Sequence, residues 1–459
     1  MTKKLSLYSL VLLIVAAIDS IRNLPASALF GSALIFFFIL SAILFLFPTS
    51  LVAAELTAIY PEKGGIYHWV HSAFGEKWAM MAIWIQWINT MVWYPTILSF
   101  IAGTAAYLLN PDLAANKTYL VCSILSIFWL ITFLNLFGIS FSSKINSFCA
   151  LIGTVIPLTF LVVLGGIWFF SGEPLQIVLN KDTLIPNLSD STNWSSLIAI
   201  MASFVGMELA GVHVTDIRNP QRNFPKAILF ACLFILVSMV FGSLSIAFVI
   251  PEEKINLVSG VMQVFTSFFE EFGMEGLVPV LTVLIVFGSI GSIINWLISP
   301  AKGLLHAAEF GFLPDFFKRK NKWGVPANIL LAQALLVSLF CFCFFLVPGV
   351  NGFYWFLTAL STELYMIMYV LMFLSALYLH YKHKNRPMVF KIPGGSTGIW
   401  ITCLLGIIGC SLTIGVSFLP PENIDIGTSS QYLSMVIVSN LVTITPVFLF
   451  FWYKKRISL

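Results

Sequence analysis

The sequence predicts an all-α polytopic membrane protein with twelve transmembrane helices and no soluble domain of any size. Three observations carry this. Apolar residues make up 59% of the 459 positions and charged residues only 10%, whereas a soluble chain is about 25% charged. Apolar runs recur along the whole length, and many reach the ~20 residues that a helix needs to cross hydrocarbon. Two of those runs are interrupted midway, one near the start of the chain and one near its middle.

The runs place spans at about 6–30, 32–57, 77–108, 118–138, 145–171, 194–216, 225–250, 275–305, 326–347, 353–379, 397–419 and 431–453. The longest connection, 251–274, contains VSGVMQVFTSFFEEFG, which reads as a short amphipathic helix outside the core. Orientation follows from the loops. With both termini in the cytoplasm, twenty of the 24 Lys and Arg lie on the cytoplasmic side. Only Lys117, Lys181 and Lys254 then lie outside, and Arg22 lies within the membrane. Cytoplasmic loops of membrane proteins are enriched in this way, so the expected location is the cell (inner) membrane with both ends inside. The lipid bilayer is the expected partner. The net charge of +4 sits in short loops and gives no reason to expect a nucleic acid. No cleavable signal peptide is expected, since Lys3–Lys4 lead straight into a span carrying Asp19 and Arg22. The seven cysteines all fall in apolar spans and read as buried free thiols.

The interrupted runs are LVLLIVAAIDSIRNLPASALFG and LIAIMASFVGMELAGVHVTDIRNP. Lipid satisfies no free backbone N–H or C=O, so irregular backbone at this depth must be buried in protein or line a polar cavity. Matched breaks in two halves mark the binding site of a transporter. A broken helix presents N–H groups that attract an anion and carbonyls that attract a cation. An amino acid zwitterion carries both charges a short distance apart. The backbone of Ile18, Asp19, Ser20, Ile21, Arg22 and Asn23, with that of Ser203, Phe204, Val205, Gly206, Met207 and Glu208, is therefore the expected clamp. The expected substrates are amino acids or decarboxylated amino acids.

The loop PEKGGIYHWVHSAFG (61–75) and the segment GMELAGVHVTDIRNPQRNFPKAI (206–228) resemble those of the amino acid–polyamine–organocation superfamily. Further stretches, IRNLPASALFGSALIFFF, INLVSGVMQVFTSF, SPAKGLLHAAEFGFLP, VFKIPGG and SFLPPEN, are similar to the bacterial glutamate/γ-aminobutyrate antiporters. The resemblance spans nearly the whole chain. It implies a 5+5 inverted repeat with broken helices one and six, the first repeat at about 6–171 and the second at about 194–379. Two additional helices follow at about 397–453. It also implies a mid-membrane substrate site between helices one, six, eight and ten.

Individual side chains then acquire expectations. Glu208 matches an acidic residue of the family, and a charge at mid-membrane costs at least ~2.5–3.5 kcal/mol. It reads as a proton-binding or gating group, or else as a structural ion pair or hydrogen-bond staple. Tyr365 and Tyr369 match tyrosines that contact substrate or close over it; ordinary aromatic packing is the alternative. Arg22 stands where the acid-resistance exchangers are expected to carry an aromatic. It must pair with Asp19, Glu208, a substrate carboxylate or carbonyls, and the Asp19 pair is favoured by the three-residue spacing. Glu363 is an addition to the pattern, balancing Arg22 across the cavity or binding a cationic group. Ser292 replaces an acidic residue and lines the site or eases helix packing. His213, just past the second break, is a pH-sensing candidate or a structural histidine. Glu55, near the cytoplasmic end of span two, reads as solvated or paired with a loop lysine. The chain stops at Leu459, without the long plug of the acid-resistance exchangers, so activity at neutral pH is expected.

An enzyme is not expected: no HExxH, paired His–carboxylate or Walker-type motif appears, and nothing calls for a cofactor or a metal. The leading expectation is a secondary active amino acid antiporter working by alternating access. A proton-coupled symporter and a non-transporting amino acid sensor on the same fold remain alternatives.

Overall fold

The structure is a computed structural model that describes residues 6–60, 65–138, 143–189, 192–206, 208, 219–383 and 390–457. Among these residues there are helices and turns but no strands. Among the described residues, eight helical segments are long and apolar enough to cross a membrane, and two shorter apolar helices accompany them. The protein is a multi-pass, all-helical membrane protein.

The first run folds as α1 (Leu7–Ile18), a single 3-10 turn (Ile21–Asn23) and α2 (Leu24–Ala28). Ser20 between them is extended (φ −141°, ψ 111°), which ends α1. Pro25 sits in the first turn of α2, where its missing N–H costs nothing. Next come α3 (Leu34–Ser41) and α4 (Phe47–Ile59), continuous through a π-helical stretch at Ala42–Leu46. The helices α5 (Ile66–Phe74), α6 (Glu76–Ala105) and α7 (Lys117–Leu136) follow. Then α8 (Ser143–Ala150) and α9 (Ile156–Ser171) join through a second π-helical stretch at Leu151–Val155. A single turn, α10 (Lys181–Leu184), precedes the second broken run.

That run contributes α11 (Ser196–Phe204), which stops at Val205 (φ −62°, ψ 138°) and Gly206 (φ 101°). A side chain at such a φ is strained, so glycine sets this break. The chain continues through α12 (Pro220–Val249), α13 (Gly260–Phe272), α14 (Val278–Glu309), α15 (Ala327–Phe342) and α16 (Val350–Lys382). It ends with α17 (Gly395–Val416), α18 (Ser429–Ile444) and α19 (Pro446–Ile457).

Of the eight long apolar segments the most buried are α6 and α16, which pack on each other. At the centre, α14 crosses the π-helical stretch before α9 so closely that a Cβ on Gly153 would lie 2.6 Å from the Gly288 Cα. Small residues are what allow membrane helices to approach this far.

Three expectations change here. The helix α13 is not outside the core: Val261, Met262, Val264, Phe265, Phe268 and Phe269 are all fully buried. Its apolar face packs over α2 and α9, and a Cβ on Gly260 would lie 2.9 Å from Pro25. Glu55 is neither solvated nor paired with a lysine. It is buried, 2.5 Å from His380 Nδ1, and accepts the Ile392 N–H at 2.7 Å. Cys122 is exposed on its helix rather than buried.

Candidate functional site

Both broken runs border one cavity of about 170 Å³. It is smaller than the ~300–1,000 Å³ typical of drug-sized ligands, which suits a molecule of amino acid size. The first break contributes Ile18, Asp19, Ser20, Ile21, Arg22 and Asn23; the second contributes Ser203, Val205 and Gly206. Two helix ends, those of α1 and α11, terminate at the cavity. The last carbonyls of a helix lack intrahelical partners and carry partial negative charge, so these two ends favour a cation. The turn beginning at Ile21 offers the opposite pole, since the first N–H groups of a helical turn are also unpaired.

Among the described residues, Arg22 and Asp19 are the two charged ones lining the cavity, and they do not pair with each other. Arg22 Nη1 donates to Thr96 Oγ1 at 2.6 Å, and its guanidinium lies 5.3 Å from the centre of the Trp93 ring. Asp19 Oδ2 and Ser238 Oγ lie 3.0 Å apart, within hydrogen-bonding distance. The expected Asp19–Arg22 pair needs a helical turn that persists through both residues. The extended Ser20 interrupts that turn and sends the two side chains to opposite walls, Asp19 to α12 and Arg22 to α6. Both keep an unused atom: Asp19 Oδ1 and Arg22 Nε are buried without a hydrogen-bond partner.

The second break is completed from within. Tyr369 Oη accepts the Gly206 N–H at 2.9 Å and donates to Glu208 Oε2. Tyr365 Oη donates to Glu208 Oε1 at 3.4 Å. Phe45 packs edge-on against the Tyr369 ring, centroids 4.9 Å apart. Two phenols thus satisfy the Glu208 carboxyl and tie the break to α16. Tyr365 also lines the cavity, while Glu208 and Tyr369 lie behind its wall. Phe204 is buried but packs edge-on against Phe38 instead of lining the cavity.

Glu363 does not face Arg22. The cavity side of α16 is formed by Thr358, Ser361, Thr362 and Tyr365. Residues two apart on a helix point in nearly opposite directions, so Glu363 turns away from Ser361 toward α18. There it accepts from Asn440 Nδ2 at 2.9 Å. Met207 and His213 lie outside the described residues, as does the side chain of Ser292.

The sequence reading missed the contribution of α6. Asn89, Thr90, Trp93, Thr96, Ile97 and Phe100 all line the cavity, and Asn89 Oδ1 accepts from Ser361 Oγ at 2.5 Å. The signal was present: positions 89, 93, 96 and 100 recur at the 3–4-residue spacing of one helix face, and Asn89 and Thr96 are polar within an apolar span.

Comparison with known proteins decides the family, because a family model for amino acid permeases matches residues 5–440. The chain belongs to the amino acid permease family. It is therefore a membrane transporter, not an enzyme. An uncharacterised transporter of Legionella pneumophila is 40% identical over 424 residues, which cover 92% of this chain and 91% of that protein. A glutamate/γ-aminobutyrate antiporter of Lactococcus lactis is 30% identical over 462 residues, 99% of this permease and 92% of the relative. A probable agmatine/putrescine antiporter of the same species is 23% identical over 407 residues.

Proposed function

We propose that this permease is an amino acid antiporter that binds one zwitterionic substrate between its two broken helices and carries it by alternating access. The observation that carries this reading is the shared cavity: two helix C-termini and one turn N-terminus meet around a volume of amino acid size. The ammonium lies at the ends of α1 and α11, and the carboxylate lies at the N–H groups of Ile21 and Arg22. The side chain extends along α6 and α16, and a decarboxylated substrate keeps the ammonium contacts while leaving the N–H groups of Ile21 and Arg22 unused. In this reading Ile18, Asp19, Ser20, Ile21, Arg22, Asn23, Ser203, Phe204, Val205, Gly206, Met207, Glu208, Ser292, Tyr365 and Tyr369 form the site and its immediate wall. Glu208, tied to Tyr365 and Tyr369, controls the gate on the side of α16, and Glu363 and His213 modulate it from a distance.

The architecture that goes with this function is a twelve-helix, 5+5 inverted repeat. Residues 6–171 and 194–379 are the repeats and 397–453 the two added helices. Continuous helical segments close to these spans and the matched positions of the two breaks support it. The excess of Lys and Arg in one set of loops supports inner-membrane residence with both termini cytoplasmic. Exchange, in preference to net uptake, is supported by the antiporter names of the relatives.

Counterflow in proteoliposomes tests the function. Vesicles preloaded with each common amino acid or its decarboxylated amine are offered the labelled external form. Uptake that needs an internal amino acid, and that falls with Arg22→Ala, is the expected result. Binding without flux for every compound would refute transport, and uptake independent of internal substrate would refute exchange.

A further inference from the structure

Asp19 stands at a wall between two spaces. One is the central cavity. The other is a cavity of about 470 Å³ between α9 and α12, lined by Val155, Leu158, Val162, Phe230 and Phe234, with Asp19 as the one charged lining residue among those described. Lipid-facing side chains such as Val163, Phe234 and Val237 are about half exposed at its mouth. Water is a poor neighbour on that side, and Asp19 itself is only 6% exposed.

The hydrogen count around Asp19 is informative. Ser238 Oγ lies 3.0 Å from Asp19 Oδ2 and 3.0 Å from the Ile235 carbonyl. A serine hydroxyl has a single hydrogen, so it serves one of these acceptors and not both. A proton on Asp19 completes the chain. The acid donates from Oδ2 to Ser238, and Ser238 donates to Ile235. Without that proton one contact lacks a hydrogen, and Oδ1 is unpartnered in either case. An ionised carboxylate buried with a single donor is strongly disfavoured unless a cation joins it. The end of α1 is where the substrate's ammonium is placed by the reading above, on which this step rests.

We propose that Asp19 is a proton-binding site, and that a proton and the substrate's ammonium group are alternatives there. Loading an ammonium into the cavity then releases the proton held by Asp19, and unloading takes it back. Among the described residues, no other titratable side chain facing the site serves this purpose. From α12 it meets Ser238, and Thr159 of α9 lines the same outer cavity. Across the cavity stand Ser203 of α11 and Ser289 of α14, none of which titrates. Arg22 is turned to Thr96 and Trp93, and Tyr365 to Glu208. Glu208 is enclosed by its tyrosines behind the wall.

The test uses dicyclohexylcarbodiimide, which reacts with protonated carboxyls in apolar surroundings, on the full chain in proteoliposomes. Peptide mass spectrometry reads labelling of Asp19 from acid to alkaline pH, with and without each common amino acid and its amine at millimolar concentration. Labelling that falls as pH rises, and that a transported compound suppresses, is the expected result. Affinity for that compound should fall about tenfold per pH unit on the acid side, the slope of one competing proton, and Asp19→Asn should abolish the slope. Labelling that is absent or constant with pH overturns the proposal. So does labelling that no compound suppresses, or a slope that survives Asp19→Asn. Suppression by sodium chloride but not choline chloride assigns a metal cation to Asp19 and also overturns it. If Asp19→Asn does not fold, labelling of the unaltered chain decides. Because labelling is read without transport, a failure of counterflow for every compound counts against the antiporter reading and leaves the proton site judged by its own titration.

Discussion

The two broken helices solve the same problem in opposite ways. At the second break the exposed groups are used up internally: Tyr369 takes the Gly206 N–H, and Tyr365 and Tyr369 satisfy Glu208. At the first break the groups are left open, with Asp19 Oδ1 and Arg22 Nε unpartnered and both residues on the cavity wall. Unmade hydrogen bonds in a buried place are costly to the empty protein and are recovered when a ligand makes them. In the proposed function the first break is the one left open to a substrate, and the second is the one tied to α16. An acidic residue beside each break therefore does not imply a similar role.

Variants can break this contrast. Tyr369→Phe should have the largest effect on stability. It unpairs both the Gly206 N–H and a Glu208 oxygen, each worth ~1–3 kcal/mol when buried. Thermal unfolding in detergent would show it, and a melting temperature equal to that of the parent would mean that the second break is not secured by this phenol. Gly206→Ala comes next, at roughly 1–3 kcal/mol for a side chain forced to a positive φ. The glycine has open space around it, so the penalty is conformational and not steric. Arg22→Ala should behave in the opposite sense, with a small change in melting temperature and a loss of about tenfold or more in substrate affinity, roughly 1.4 kcal/mol. Arg22→Lys should not restore it, because an ammonium does not reproduce the planar contact with Thr96 and Trp93. Equal destabilisation by Arg22→Ala and Tyr369→Phe would erase the distinction between the two breaks. Glu363→Gln should do least, about 1 kcal/mol or less and with unchanged affinity, since a glutamine carbonyl still accepts from Asn440. A marked loss of affinity there would place α18 in the substrate pathway.

Much of this was legible before the structure. Asp19, Arg22 and Pro25 in one apolar run, and Gly206 with Glu208 in the other, break hydrophobic periodicity for reasons that hold in any membrane. What was not legible was direction. The Asp19–Arg22 spacing implies a pair only if the helix continues, and the extended Ser20 decides otherwise. Glu363 was placed toward the cavity, but which face of α16 meets α6 and which meets α18 is a matter of packing that no local pattern carries. Glu55 found a histidine more than 300 positions away. The polar face of α6 is visible in the spacing of Asn89, Trp93, Thr96 and Phe100, yet small polar residues in membrane helices more often serve packing, so spacing alone does not mark it as a binding face.

The most direct test places a thiol on each side of the cavity, Ser20→Cys and Ser203→Cys, in a background where Cys122 and Cys149 are serine. Modification by a charged methanethiosulfonate reagent is measured with and without the transported amino acid. If one substrate sits between the two breaks, it protects both thiols at the same concentration, and modification of either stops counterflow. Protection of neither position, with transport intact after both are modified, would contradict the account.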